Sequence, residues 1–170
     1  MEKVTVTSAR LTSKGVKIIY LDGEAVKTLT SQFGVSEEFN DSFYAMKKLF
    51  IEHMSFGRME KFITCTGVDV KIDKDGEALY KIYASMVRPG WDKLELKLNT
   101  GWMNQVEKEE FFDREDPLNY PYLLSAAEVK KIGVFFYEAE KYLNGNRFDD
   151  QPDLFPEEDK DKSIDARDAE

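Results

Sequence analysis

Apolar residues alternate with polar ones over the first thirty positions and then change period. Val4 and Val6, then Val16, Ile18 and Tyr20, then Val26 with Leu29 are β-branched or aromatic residues mostly two apart, the spacing of a strand with one buried face. Thr12-Ser13-Lys14-Gly15 and Asp22-Gly23 interrupt these runs. An Asp-Gly pair between two such runs signals a hairpin, because the tight turn needs positive φ angles that these residues tolerate. The pattern predicts a three-stranded meander over 3–11, 15–21 and 24–30. From Ser36 the apolar spacing lengthens: Phe39, Phe43, Met46, Phe50 and Met54 form one stripe on a helix. Ser36 supplies an N-cap, Glu37 and Glu38 suit the positive end of the helix dipole, and Gly57 stands just past the stripe, so a helix is predicted near 36–55.

Strand spacing returns over Phe62–Ile72, turns at Asp73-Lys74-Asp75-Gly76, and resumes through Leu79, Ile82 and Tyr83. A turn at Arg88-Pro89-Gly90 leads to Leu94, Leu96 and Leu98, which alternate with charged residues as a half-buried strand does. Residues 99–124 have no steady period and read as a long loop. Ser125 with Glu128 forms a capping box ahead of Val129, Ile132, Phe136, Ala139 and Leu143, and Asn144-Gly145 closes that stripe, giving a second helix near 125–144. The expected fold is α+β: a six-stranded, largely antiparallel sheet with two amphipathic helices on one face, in the order βββα–βββα. The repeated order invites a duplication, but the similarity of Val4-Thr5-Val6-Thr7 to Ile63-Thr64-Cys65-Thr66 is a matter of composition. Phe39, Phe43, Met46, Phe50, Val129, Ile132 and Phe136 are expected to bury against Val16, Ile18, Ile63, Val68, Ile82 and Leu96.

Charge divides the chain where periodicity ends. Residues 1–147 hold 21 Lys and Arg against 23 Asp and Glu, whereas 148–170 hold 3 against 10. The first part reads as one domain and the second as an acidic tail too poor in apolar residues to fold by itself. The body has no overall basic excess of the kind that phosphate backbones select. No apolar run approaches the roughly 18 residues of a spanning helix, and Met1-Glu2-Lys3-Val4 has no apolar leader, so the expectation is a cytoplasmic protein with no membrane partner.

Chemistry-bearing residues are few. One cysteine (Cys65) and one histidine (His53) exclude a disulfide framework and a zinc finger. Asp73-Lys74-Asp75-Gly76 begins like a calcium loop, but Ala84 stands at the twelfth position, where a bidentate Glu is required; a hairpin turn is the better reading. His53, near the C-terminal end of the first helix, reads as a dipole-complementing or core-edge residue, and Cys65 as a buried structural thiol. There is no glycine-rich phosphate loop, nucleophile elbow or His-Glu-x-x-His helix, so no catalytic residue, cofactor or metal ligand is assigned and a non-enzymatic role is favoured. Carboxylate–magnesium chemistry, which needs only Asp and Glu, is the exception to that argument. Trp91, Trp102, Tyr80, Tyr83 and Phe62, with Lys71, Lys81, Arg88, Lys93 and Lys97 along the same sheet, make a candidate platform for unpaired bases and their phosphates.

Gln151-Pro152-Asp153-Leu154-Phe155 in the tail resembles the peptide by which proteins bind the bacterial sliding clamp, with Gln151, Asp153, Leu154 and Phe155 at matching positions and Pro152 departing from the usual Leu. The resemblance implies that Leu154 and Phe155 fill apolar pockets of the clamp while the Gln151 amide hydrogen-bonds beside them. The whole chain is also similar to small proteins encoded in phage and prophage replication or recombination regions. That similarity runs through Gly15–Tyr20, Gly23-Glu24, Thr66-Gly67-Val68 and Glu138–Arg147 into the tail, where Phe148-Asp149-Asp150 is inserted ahead of Gln151. Together these resemblances imply an accessory protein of phage DNA metabolism in a bacterial cytoplasm, tethered to the clamp; the alternative is a single-stranded nucleic-acid-binding module using the aromatic sheet.

Overall fold

The computed structural model describes residues 4–90, 94–105 and 123–145. The expectations for Trp91 and Lys93, and for the tail with Gln151, Asp153, Leu154 and Phe155, lie outside the described residues.

The chain opens with the antiparallel meander β1 (Thr5–Thr12), β2 (Gly15–Asp22) and β3 (Ala25–Ser31). Helix α1 (Glu37–Met54) follows, with Ser36 Oγ accepting the Phe39 N–H and with Ser55 at φ 56° ending it. A short 3-10 helix over Gly57–Phe62 then leads into β4 (Ile63–Ile72) and β5 (Ala78–Val87). Asp73 Oδ1 accepts the N–H groups of Asp75 and Glu77, so the carboxylate that resembles a calcium ligand closes the β4–β5 hairpin instead. Strands β6 (Glu95–Asn99), β7 (Met103–Gln105) and β8 (Leu123–Leu124) complete an eight-stranded sheet, and helix α2 (Ala126–Leu143) closes the order.

The sheet therefore has eight strands, not six, and the second half is not a βββα repeat of the first. β6 and β7 lie along the same edge of β5, one opposite Tyr83–Val87 and the other opposite Leu79-Tyr80. Between them Thr100 takes the place of a ladder residue. Its N–H donates to the Ile82 carbonyl at 3.0 Å and its Oγ1 accepts the Ile82 N–H at 3.1 Å. β7 then pairs in parallel with β8. Strands of three and two residues display no period, which is why this stretch reads as loop in the sequence.

Side chains of Ala9, Val16, Ile18, Val68 and Ile82 are buried beneath the helices, α1 lying against β4 and β5 and α2 against β1 and α1. Phe39, Phe43, Met46 and Phe50 are buried as the α1 stripe predicts. On α2 the buried line is Ile132, Phe135, Ala139 and Tyr142; Val129, Phe136 and Leu143 sit half-buried beside it, as does Leu96 on its edge strand. Two contacts set this rotation. Phe135 meets Phe43 edge-on at 4.9 Å between centroids, and the Tyr142 hydroxyl donates to the Phe33 carbonyl at 2.7 Å.

Gly67 is a point of close approach between β1 and β4. A Cβ there would lie 2.5 Å from the Ala9 carbonyl oxygen and 2.6 Å from Arg10 Cγ. Gly67→Ala should therefore destabilise the protein by about 1–3 kcal/mol through overpacking. Gly133, in the middle of α2 with nothing within 4 Å of a built Cβ, is the contrasting case. Gly133→Ala should stabilise by about 0.5–1 kcal/mol, because alanine loses less backbone entropy in a helix. Urea unfolding of the two variants should move the midpoint in opposite directions.

Candidate nucleic-acid interface

Residues directly opposite one another in a sheet share a face, so the register fixes what each face displays. One row crosses six strands: Thr30, Lys17, Arg10, Gly67, Tyr83 and Asn99 on β3, β2, β1, β4, β5 and β6. The next row holds Thr28, Ile19, Ser8, Asp69 and Lys81. Lys71 and Lys97 have the same outward parity. The sheet face turned away from the helices thus carries Arg10, Lys17, Lys71, Lys81 and Lys97 against the carboxylates Asp69 and Glu95, and among the described residues no helix packs on it. In a body nearly neutral in sum, the described strand positions on this side hold five cations against two carboxylates.

Its centre is a network built on Asp69. Ser8 Oγ donates to Asp69 Oδ1 at 2.6 Å, Arg10 Nε donates to the same oxygen at 3.3 Å, and the Tyr83 hydroxyl donates to Oδ2 at 3.0 Å, where Arg10 Nη2 also bonds. Arg10 reaches this position by crossing over Gly67, which offers no side chain, and its guanidinium then stacks 4.0 Å from the centroid of the Tyr83 ring. Burial raises the Tyr83 phenol above its ordinary value, with the hydrogen bond to Asp69 adding to the effect, so it stays protonated as a donor. Beside the network, the ammonium groups of Lys71 and Lys81 lie 4.2 and 4.5 Å from the Trp102 ring centroid. Two cations thus share one indole, an arrangement that holds both charges at the same end of the face.

The sequence-predicted platform is partly assembled. Tyr83, Trp102, Lys71, Lys81 and Lys97 come together on the open face. Tyr80 does not: it shares the inward parity of the fully buried Ile82, packs against the core, and burial raises its phenol above the ordinary value. Arg88 is exposed just beyond the end of β5, and Phe62 packs against the core. Sequence reasoning passes over Ser8, Arg10, Lys17 and Asp69. Strand parity assigns their side, but the β1–β4 pairing that joins them spans about 60 positions of chain.

His53 and Cys65, singled out in the sequence, are both buried. His53 is buried and its Nε2 lies 3.0 Å from Glu128 Oε2, joining the end of α1 to the first turn of α2. Glu128 is also the capping-box residue of α2. Cys65 is buried, with its Sγ 3.9 Å from the Gly67 carbonyl oxygen. Among the described residues no group of three or more His, Cys, Asp or Glu side chains comes together as a metal site, and no helix is long and apolar enough to cross a membrane.

Burial pushes the Cys65 thiol up to about 12 from its ordinary 9.0. This sets a pH dependence with a definite sign. Below pH 9 both folded and unfolded chains hold the proton and the thiol has no effect. Above it the unfolded chain releases the proton that the native state keeps, so stability falls by about 1.4 kcal/mol per pH unit until the native thiol titrates in its turn. Cys65→Ala should flatten the alkaline limb of a stability profile measured by urea unfolding on either side of pH 9; parallel limbs in the two proteins would contradict the assignment.

No protein-family model, curated protein or solved structure matches this chain.

Proposed function

We propose that the protein binds single-stranded nucleic acid across the open face of its sheet. The observation that carries this reading is the sidedness of charge: five cations at outward strand positions surround Tyr83 and Trp102, while the fully buried apolar residues of the same strands, Ala9, Ile18, Val68 and Ile82, face the helices. Cations spaced along strands suit a phosphate backbone, and the guanidinium stacked on Tyr83 and the indole of Trp102 offer planar surfaces to unpaired bases. Asp69 orients Arg10 for this purpose and at the same time removes part of its charge. The face therefore suits moderate, salt-sensitive binding.

Fluorescence anisotropy with labelled single-stranded oligonucleotides over a range of salt tests the reading. Affinity should fall with salt, and Lys71→Glu with Lys81→Glu should weaken it and flatten the log–log salt slope by about 1.4, near 0.7 for each phosphate no longer neutralised. Trp102→Ala should cost about 1–3 kcal/mol of binding if a base stacks there. Absence of binding at low salt, in full-length protein and in protein lacking residues 148–170, would overturn the proposal. The second form is included because the acidic tail competes electrostatically for a basic face.

A second proposal rests on the sequence at 151–155: the tail tethers the protein to a bacterial sliding clamp as an accessory of phage-type DNA metabolism. A peptide spanning Asp149 to Glu158 should then bind a clamp alone, with micromolar-order affinity because ordering the segment offsets part of the gain. Leu154→Ala with Phe155→Ala should cost about 2 kcal/mol or more, and Pro152→Leu should strengthen binding. Calorimetry with purified clamp reads all three; a peptide that does not bind ends this proposal.

A further inference from the structure

The β1–β4 pairing stops at Arg10 and Gly67, where β4 bulges at Thr66. Beyond that point the end of β1 parts from the β4–β5–β6 side of the sheet and leaves a cleft of about 590 Å³, in the range of small-molecule sites. The partly buried Leu11 and Leu98 give it apolar walls, and its polar rim carries Arg10, Tyr83, Ser85, Glu95 and Lys97. Ser85 is the informative residue. It is 9% exposed, lies on the floor opposite Lys97 in the register, and its hydroxyl makes no hydrogen bond to any described residue. Solvent reaches that hydroxyl through the cleft, so it is available to hydrogen-bond with a group that enters.

The charge of the cleft decides which class of group enters. Arg10 is already bonded to Asp69, and Lys97 is offset by Glu95 two positions earlier on the same face of β6. The rim is close to neutral, whereas the excess cations, Lys71 and Lys81, lie beside Trp102. A phosphate gains little from such a rim and would be repelled by Glu95. A planar, neutral group with both donors and acceptors fits better. It can rest on the apolar walls, stack beside the Arg10–Tyr83 pair, donate N–H to Glu95 and bond with the Ser85 hydroxyl.

We propose that this cleft takes one nucleobase turned out of a bound single strand, with the adjoining phosphates left on the open face near Lys71 and Lys81. The inference rests on the single-strand reading above and specifies where that strand gives up a base. Glu95 also implies a preference, since a carboxylate accepts from the exocyclic amine of cytosine or adenine, which thymine and uracil lack.

The test is equilibrium binding of the full-length protein to oligo-dC, oligo-dA, oligo-dT and an abasic strand of equal length, repeated with Ser85→Leu, which removes the hydroxyl and puts a bulkier apolar side chain on the cleft floor, and Glu95→Gln, an exposed change at its rim. Wild type should bind oligo-dC or oligo-dA several-fold more tightly than oligo-dT and roughly tenfold more tightly than the abasic strand. Glu95→Gln should narrow the gap between oligo-dC and oligo-dT, because an amide offers a donor as well as an acceptor. Ser85→Leu should bring all strands toward the abasic affinity while leaving the salt slope unchanged. Thermal melts establish that each variant folds; if Ser85→Leu does not, the Glu95→Gln preference decides alone. Strands bound equally with and without bases, and unaffected by Glu95→Gln, would overturn the cleft proposal and leave backbone binding by the sheet intact. No binding of any strand at low salt would overturn both.

Discussion

Three residue pairs, Ser8 with Asp69, Ala9 with Val68 and Arg10 with Gly67, hold the N-terminal meander to the rest of the sheet. This seam is short because β1 bulges between Val6 and Ser8 and β4 between Cys65 and Gly67, so the strands match register only between their irregularities. Each pair contributes something different. Ala9 and Val68 are fully buried and belong to the core under the helices. Ser8 and Asp69 share a hydrogen bond on the outward face, and Gly67 admits the side chain of Arg10. A larger residue at 67 would separate the strands, displace Arg10 from Tyr83 and close the cleft that opens beyond the seam. Fold, charge network and cleft thus depend on one missing side chain.

The helices brace the seam from the other side. α1 rests on β4 and β5, which follow the seam, whereas α2 rests on β1, which precedes it. Their mutual contact therefore ties the two halves of the sheet a second time. Much of that contact is aromatic, with Phe39, Phe43, Phe135 and Tyr142 meeting at centroid distances of 4.9 to 5.8 Å. The polar element is His53 with Glu128, both nearly inaccessible. Taking either side chain out of water is costly unless the other is present, so this pair fixes how α1 and α2 meet more than it adds to net stability. Placing Glu128 in the capping box gives the same carboxylate a second, local reason to be oriented.

How much of the fold is legible in the sequence follows from how local each signal is. Ser36 and Ser125 cap their helices with the hydrogen bonds that the residue types imply, and the meander turns fall where Thr12–Gly15 and Asp22-Gly23 place them. Period-two alternation locates β1 to β6 within a few residues. An apolar count sets the α2 stripe one position off its centre because it ignores Glu128, Glu138 and the Tyr142 hydroxyl. All three are buried parts of the helix, paired with His53, Lys141 and the Phe33 carbonyl. β7 and β8 exist only because β5 and then β7 offer them an edge, and no pattern within three or two residues could announce that.

The outward face lies between these cases. Its lysines are visible along the strands, and parity alone separates Lys71, Lys81 and Lys97 from their apolar neighbours. Summed over the body, however, they are masked by acidic residues elsewhere, such as Glu37, Glu38 and Asp41 on α1. A net charge describes a whole surface, while binding a flexible polyanion depends on the potential within about 10 Å of one side of it. The distance that screening sets is comparable to the spacing of two or three strands. Cations on β1, β4, β5 and β6 therefore act together, while those on the far side of the helices contribute little. For a sheet with one open face, the useful charge count is taken by parity and register, and the position of Asp69 in that count shows why a central acid need not cancel it: it directs Arg10 across Gly67 and leaves Lys17, Lys71, Lys81 and Lys97 around it.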